Sequence, residues 1–361
     1  MQGARNWIQL IAILGLAATM TRGQTQPIGV AHLGHPETGA ATMETLTNTA
    51  TTTIPYWSDS IDSGTKSFSY SMVGASPITS PSSTTTVDTE IQPLTFKFSN
   101  GVSISGVAAA TEAANSPIFV NTKFQTGTGQ YVDVYQRANF AKYIGTKPYH
   151  VRLGLPSIRP AIVVTVPKAS GSTSKSNGVT YGLVDYAFVS KTIINLVKAG
   201  KFHSTTLPIF VAGNVFEYQQ ISVLCCILGY HDVTTPVAGQ LVTFIYTSLP
   251  TAGLFTGFAD VAVLSHEVAE WMDDPFGTNL VRYWSTVQHP GYCFSDLLEV
   301  GDPIEYFPNA SFPVTLNGKT YHMQDLAFFS WLTGQKPSIA VGGRYSYLYP
   351  PKLKTYAKFC N

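Results

Sequence analysis

The stretch LSHEVAEWMDDP at 264–275 combines a histidine and two glutamates at a spacing suited to metal chemistry. His266 and Glu270 stand four residues apart, so a helix stacks them on one face. A divalent metal needs several lone-pair donors converging at about 2.0–2.2 Å, and a rigid i,i+4 pair supplies two of them. Glu267 follows His266 directly, where a carboxylate can take a proton from metal-activated water without itself ligating. Val261, Leu264, Val268 and Trp271 fall on another face, the expected buried stripe. The competing expectation is an ordinary helix whose acids are solvated.

A third donor is required, and LLEVGDP at 297–303 offers Glu299 and Asp302. Glu299 is the favoured ligand; Asp302 is either an alternative ligand or an outer partner of His266. His231, closing the strand-like run in LGYHD, is a candidate fourth donor or a catalytic stabiliser of developing charge. His322 beside Tyr321 is a further candidate. Asp273 and Asp274 are expected to cap backbone groups or orient His266 rather than bind metal.

The elements that must position these residues follow from periodicity. Residues 54–170 are expected to form a β-rich N-terminal region, with KSFSYSMVG and LTFKFSNGVSISG as alternating strands. GQYVDVYQRANFAKYIG has helical spacing, PAIVVTVP is a compact strand, and ASGSTSKSNG is expected to be an exposed loop. Residues 180–361 are expected to carry the metal. There YAFVSKTIINLVKAG is an amphipathic helix with Tyr186, Val189, Ile193 and Leu196 on one face, closed by Gly200. Three strands follow in TLPIFVAGNV, ISVLCCILGYH and QLVTFIYTS, the last expected as an edge strand along a cleft. The chemical helix comes next, N-capped by Asp260 and stopped at Asp274 by Pro275. Asn317-Gly318 marks a hairpin, and YHMQDLAFFSWL is expected as a final helix. The fold class is therefore mixed α/β (α+β).

Composition narrows the function. Of the 361 residues 44% are hydrophobic, enough for a sizeable core, and only 12% are charged, which fits a β-rich extracellular protein. The apolar run IQLIAILGLAATM after a basic start is expected to be a signal peptide over 1–23, followed by a flexible Thr-rich leader over 24–53. These imply a secreted or periplasmic protein with no membrane span in its mature chain. A net charge of +1 and the lack of a basic run argue against nucleic acid as a partner. Four cysteines in an exported chain favour disulfides. Side chains of neighbours in an extended strand point apart, so Cys225 or Cys226 is expected to join Cys293 or Cys360. No nucleotide-phosphate loop and no G-x-S-x-G elbow is present.

The strand, loop and H-E-x-x-E helix with a downstream acid resemble the zincin group of metallopeptidases. SHEVAEWMDDP, followed by Trp284 and LEVGD, is similar to secreted exordium-type (phosphate-induced) proteins and related uncharacterised bacterial exported proteins. The match covers roughly 225–305, and the first half resembles no characterised family. The zincin resemblance implies a mixed sheet with an active-site helix, one Zn2+ ion held at His266 and Glu270, and Glu267 as base. It also implies an extracellular peptide or protein as substrate. Glu270 stands where H-E-x-x-H peptidases have histidine, and the added ligand charge leaves a bound water less acidic. The expected function is a secreted zinc-dependent hydrolase of the metallopeptidase kind. The alternative is a non-catalytic extracellular or cell-wall protein whose metal is structural, which a closed site would favour.

Overall fold

Alternation along the longest strand among the described residues, β1 (Thr84–Phe98), buries Val87 and Thr89 between more exposed neighbours. Further along, Gln92, Pro93 and Leu94 are buried in succession, as expected where a sheet is covered on both faces. The computed structural model describes residues 52–219, 222, 225–234 and 237–360. The expected signal peptide and nearly all of the leader lie outside these residues.

β1 is the hub of an eight-stranded mixed sheet. Along one edge it pairs in parallel with three short strands, His150–Leu153, Ser157–Ile158 and β2 (Ile162–Val166). Along the other it pairs in parallel with β3 (Thr206–Gly213), Ile91 facing Ile209. β4 (Gly229–Val233) is the antiparallel outer strand, and β5 (Thr243–Leu249) lies between β3 and β4. The expectation that β5 forms the edge is thus corrected. β5 is buried along its whole length because it has a partner on each side, and the edge position falls to β4, which carries His231. The sheet also joins the two sequence regions, since β1 and β2 come from 54–170 and β3, β4 and β5 from 180–361.

Three helices matter for the site. α1 (Tyr131–Asn139) and α3 (Ala262–Asp273) share one core with Ile91, Ile209, Val211 and Ile245. α2 (Tyr186–Leu196) packs Val189 and Ile193 against Phe210 and Phe244 in a separate core. Side chains alternate along a strand, so these two cores lie on opposite faces of the sheet. α2 is continued by a π-helical turn, Val197–Lys201, whose helical path is broken at Gly200, where a φ of 72° suits glycine.

Three further expectations change. ASGSTSKSNG is not a loop: Gly171–Ser176 pairs with Val179–Asp185 through Asn177-Gly178, both at positive φ. Its polar character reflects a hairpin largely open to water, and Asn-Gly is the turn that permits it. YHMQDLAFFSWL is helical only over Phe329–Thr333, because the Asn317-Gly318 hairpin commits Lys319–Gln324 to pairing with Ser311–Leu316. The disulfides are Cys225–Cys226 and Cys293–Cys360. The expectation that Cys225 or Cys226 joins Cys293 or Cys360 is thus corrected: the two neighbours pair with each other, and Cys293 pairs with Cys360. Among the described residues no helix is long and apolar enough to cross a membrane.

Candidate metal centre

α3 is buried along its entire length, polar residues included. Its apolar stripe is as expected, with Val261, Leu264, Val268 and Trp271 fully covered. Trp271 Nε1 donates to Thr243 Oγ1 at 2.9 Å, which fastens the helix across β5. Asp260 braces the start of the helix: its carboxylate accepts from Val261 N at 2.6 Å and from His322 N at 2.8 Å. The N-cap position itself is Val261, one residue later than expected. The helix stops at Asp273, just before Asp274 and Pro275, as expected.

The polar face of α3 meets more protein, not water. Opposite it stands His231 on β4, and below it runs the segment Val300-Gly301-Asp302, which opens α4 (Asp302–Glu305). Two glycines make this approach possible. A side chain at Gly229 would put its Cβ 2.8 Å from Glu267 Oε1, and one at Gly301 would run into the His266 ring. The Gly301 N–H donates to Glu270 Oε1 at 3.0 Å, so only Glu270 Oε2 is turned to the interior.

Both imidazoles are oriented from outside. Gln324 Nε2 donates to Gly301 O at 2.8 Å, which fixes the amide so that Gln324 Oε1 faces His266 Nδ1 at 3.0 Å. His266 Nδ1 therefore carries the hydrogen, and its Nε2 points at Glu270 Oε2 (2.8 Å) and Asp302 Oδ1 (3.6 Å). His231 Nε2 donates to the Asp274 carbonyl at 2.9 Å. Its Nδ1 looks toward Glu267 Oε2 at 3.6 Å and Glu270 Oε2 at 4.0 Å. Gln324 is in turn held by Ser265 Oγ and by Tyr131 of α1, whose hydroxyl donates to its carbonyl.

The result is an enclosed cluster of ionisable side chains. His231 and His266 are 0% exposed, Glu267 and Glu270 1%, Glu299 2% and Asp302 4%. Among the described residues no lysine or arginine pairs with Glu267, Glu270 or Asp302. Burial therefore dominates their titration. It raises Glu267 well above the usual carboxylate range, against the pull of His266 and with the help of Glu270. Asp302 and Glu299 are pushed up by burial and then by Glu270. Burial disfavours charge on His266 too, yet Glu270 beside it prevails and moves it up to about 9. Protons fill the chamber when nothing else positive does.

Each residue singled out from the sequence has a definite place. His266, Glu270 and Asp302 form one set whose donor atoms lie within 4.8 Å of one another, and His231, Glu267 and Glu270 form a second. These buried groups can hold a metal ion. Glu299, the favoured third ligand, is buried beside Glu270 but belongs to neither set. His322 pairs with Asp260 at 2.6 Å, apart from both sets. Asp274 caps Thr278 N and Asn279 N, while Asp273 faces Gln136 and Tyr135 of α1. Neither orients His266. That task falls to Gln324, which no sequence signal marks because a lone amide on a strand has no motif. Gly301, within LLEVGDP, carries no motif of its own either.

No protein-family model, curated protein or solved structure matches the chain.

Proposed function

We propose that the protein is a secreted zinc-dependent hydrolase of the metallopeptidase kind, acting on extracellular peptide or protein. The observation that carries this is the convergence of His266, Glu270 and Asp302 on one point with Glu267 in the same chamber. The donor set suits zinc. One imidazole is locked with Nε2 inward, two carboxylates approach it, and Asp302 Oδ1 has no hydrogen-bond partner among the described residues. The antiparallel outer strand β4 beside α3 is also in keeping with the zincin resemblance. Two disulfides and the lack of a membrane-crossing helix among the described residues fit an extracellular setting.

Zinc held by His266, Glu270 and Asp302 would supply Lewis acidity toward a scissile carbonyl and toward water. The chain's own residues do the rest. Glu267 takes a proton from the attacking water and passes it to the leaving amine, a role that suits a carboxyl raised by burial. His231 Nδ1 faces Glu267 Oε2 at 3.6 Å with its ring fixed by the Asp274 carbonyl, so it is placed to accept the proton that Glu267 carries between water and leaving amine. Gln324 and Gly301 keep His266 and Glu270 in register. A Glu267→Gln variant is expected to keep its metal and lose turnover by about 10²–10⁴-fold. Unchanged hydrolysis of a broad protein substrate by that variant rejects the mechanism.

A second reading has one observation in its favour: the chamber is closed, with its ligands at most 4% exposed. A catalytic zinc keeps a position open, whereas a structural one is enclosed by protein. Metal bound tightly, with no hydrolysis of any peptide library, would select the non-catalytic extracellular protein instead.

A further inference from the structure

Glu270 faces two imidazoles, not one. His266 Nε2 lies 2.8 Å from its Oε2, and His231 Nδ1 lies 4.0 Å from the same atom. We infer that the chamber contains a second cation position, formed by His231 Nδ1, Glu267 Oε2 and Glu270 Oε2, and that a first-row divalent ion there withdraws Glu267 from proton transfer. This rests on the first position proposed above, because Glu270 is the shared ligand.

Four features lead to it. The three donor atoms lie within 4.8 Å of one another, a span one ion can bridge. The tautomer of His231 is set from outside: a backbone carbonyl only accepts, so Nε2 carries the hydrogen and the Nδ1 lone pair points at two carboxylates. A lone pair aimed at anions is repulsive unless something positive lies between them. Glu267, 1% exposed, has no hydrogen-bond partner for Oε1 among the described residues, so the carboxylate is not committed to a structural bond. Finally, the buried cluster of Glu267, Glu270, Asp302 and the neighbouring Glu299 carries four negative charges when ionised, so one divalent ion leaves two of them uncompensated and a second balances them. One imidazole with two carboxylates favours zinc or a neighbouring transition ion over calcium or magnesium, which prefer oxygen alone.

The consequence is a switch in the same site. With only the first position filled, Glu267 is available as a base; with both filled, its Oε2 is a ligand and catalysis stops. Metal thus activates at low concentration and inhibits at higher concentration.

The test uses the full mature chain, stripped with a chelator and dialysed to equilibrium against buffered Zn2+, with zinc per chain read by elemental analysis. Wild type is expected to take two ions, the second more weakly. His231→Ala and Glu267→Gln are each expected to weaken the second by about tenfold or more and to retain the first. His322→Ala, on the outlying Asp260 pair, keeps both. In parallel, hydrolysis of a protein substrate rises with the first equivalent and falls by about a hundredfold with the second. Glu267→Gln is nearly isosteric, so it decides the matter if His231→Ala does not fold. One ion in wild type, or two undiminished in both variants, overturns the second position and leaves the first standing. No ion at all overturns both.

Discussion

Helices α2 and α3 lie on opposite faces of one sheet and share the 3.6-residue period, yet they treat their polar residues differently. On α2, Ala187, Lys191 and Asn195 fall at i, i+4 and i+8 and face water, while Val189 and Ile193 are buried. Asp185 caps its start by accepting from Phe188 N at 3.0 Å. On α3 the corresponding polar stripe, His266, Glu267, Glu270 and Asp273, is covered by β4, by Gly301 and by Tyr135 and Gln136 of α1. An ordinary surface helix gains its stability from one apolar face. α3 also buries ionisable groups, each of which costs free energy unless it is paired or bound to a cation. The contrast teaches that α3 is packed around a cluster of ionisable groups able to hold a cation as well as around an apolar stripe.

Mutations on the two helices should separate accordingly. The largest stability loss is expected for Trp271→Ala, which empties a fully buried site and removes the bond to Thr243, at about 3–5 kcal/mol in denaturant unfolding. Gly301→Ala comes next, because its Cβ meets the His266 ring; an overpacking cost of about 2–3 kcal/mol is expected. This variant should also lose the metal, and retention of full metal binding would contradict the role given to Gly301. Asp185→Ala, removing the cap of α2, is expected to cost about 1 kcal/mol and leave metal binding unchanged. Lys191→Ala, on the wet face, should stay within about 0.5 kcal/mol.

The same contrast predicts a pH dependence. Asp302 and Glu267 hold protons more tightly in the folded, metal-free protein than in the unfolded chain. Above the ordinary carboxylate range the unfolded state binds fewer protons, so metal-free stability falls as pH rises. His266, raised to about 9, acts in the same direction: its contribution is whole below its unfolded pKa and is lost as pH climbs through about 9. Zinc displaces these protons, so the gain in Tm on adding zinc should grow between about pH 5.5 and pH 8. Calorimetry showing a gain that shrinks over that range would argue against ionised ligands.

The local devices were the legible part of the sequence. Period alone placed α2, α3 and the stripe from Val261 to Trp271, Gly200 marked an end, and Asn317-Gly318 marked a hairpin. The i,i+4 pair His266 and Glu270 follows from helical geometry; His231 was expected to close a strand, and the structure instead places it in the middle of β4. What escaped depends on tertiary pairing. β5 has the composition of either an edge or a centre, and only its partners decide. The set that includes Asp302 depends on how Gly301 lies against His266, three residues past Glu299 in a segment without a period. Gln324 is 58 residues from His266 and carries no charge to draw attention.

The central claim is that His266, Glu270 and Asp302 meet to hold an ion, and zinc content tests it most directly. The purified mature protein and its Asp302→Asn variant, near in shape to wild type, are compared by elemental analysis after dialysis against equal buffered zinc. The account predicts zinc in wild type and loss of the ion at His266 in the variant, with secondary structure unchanged. Equal zinc in the two proteins, or none in wild type, would contradict it.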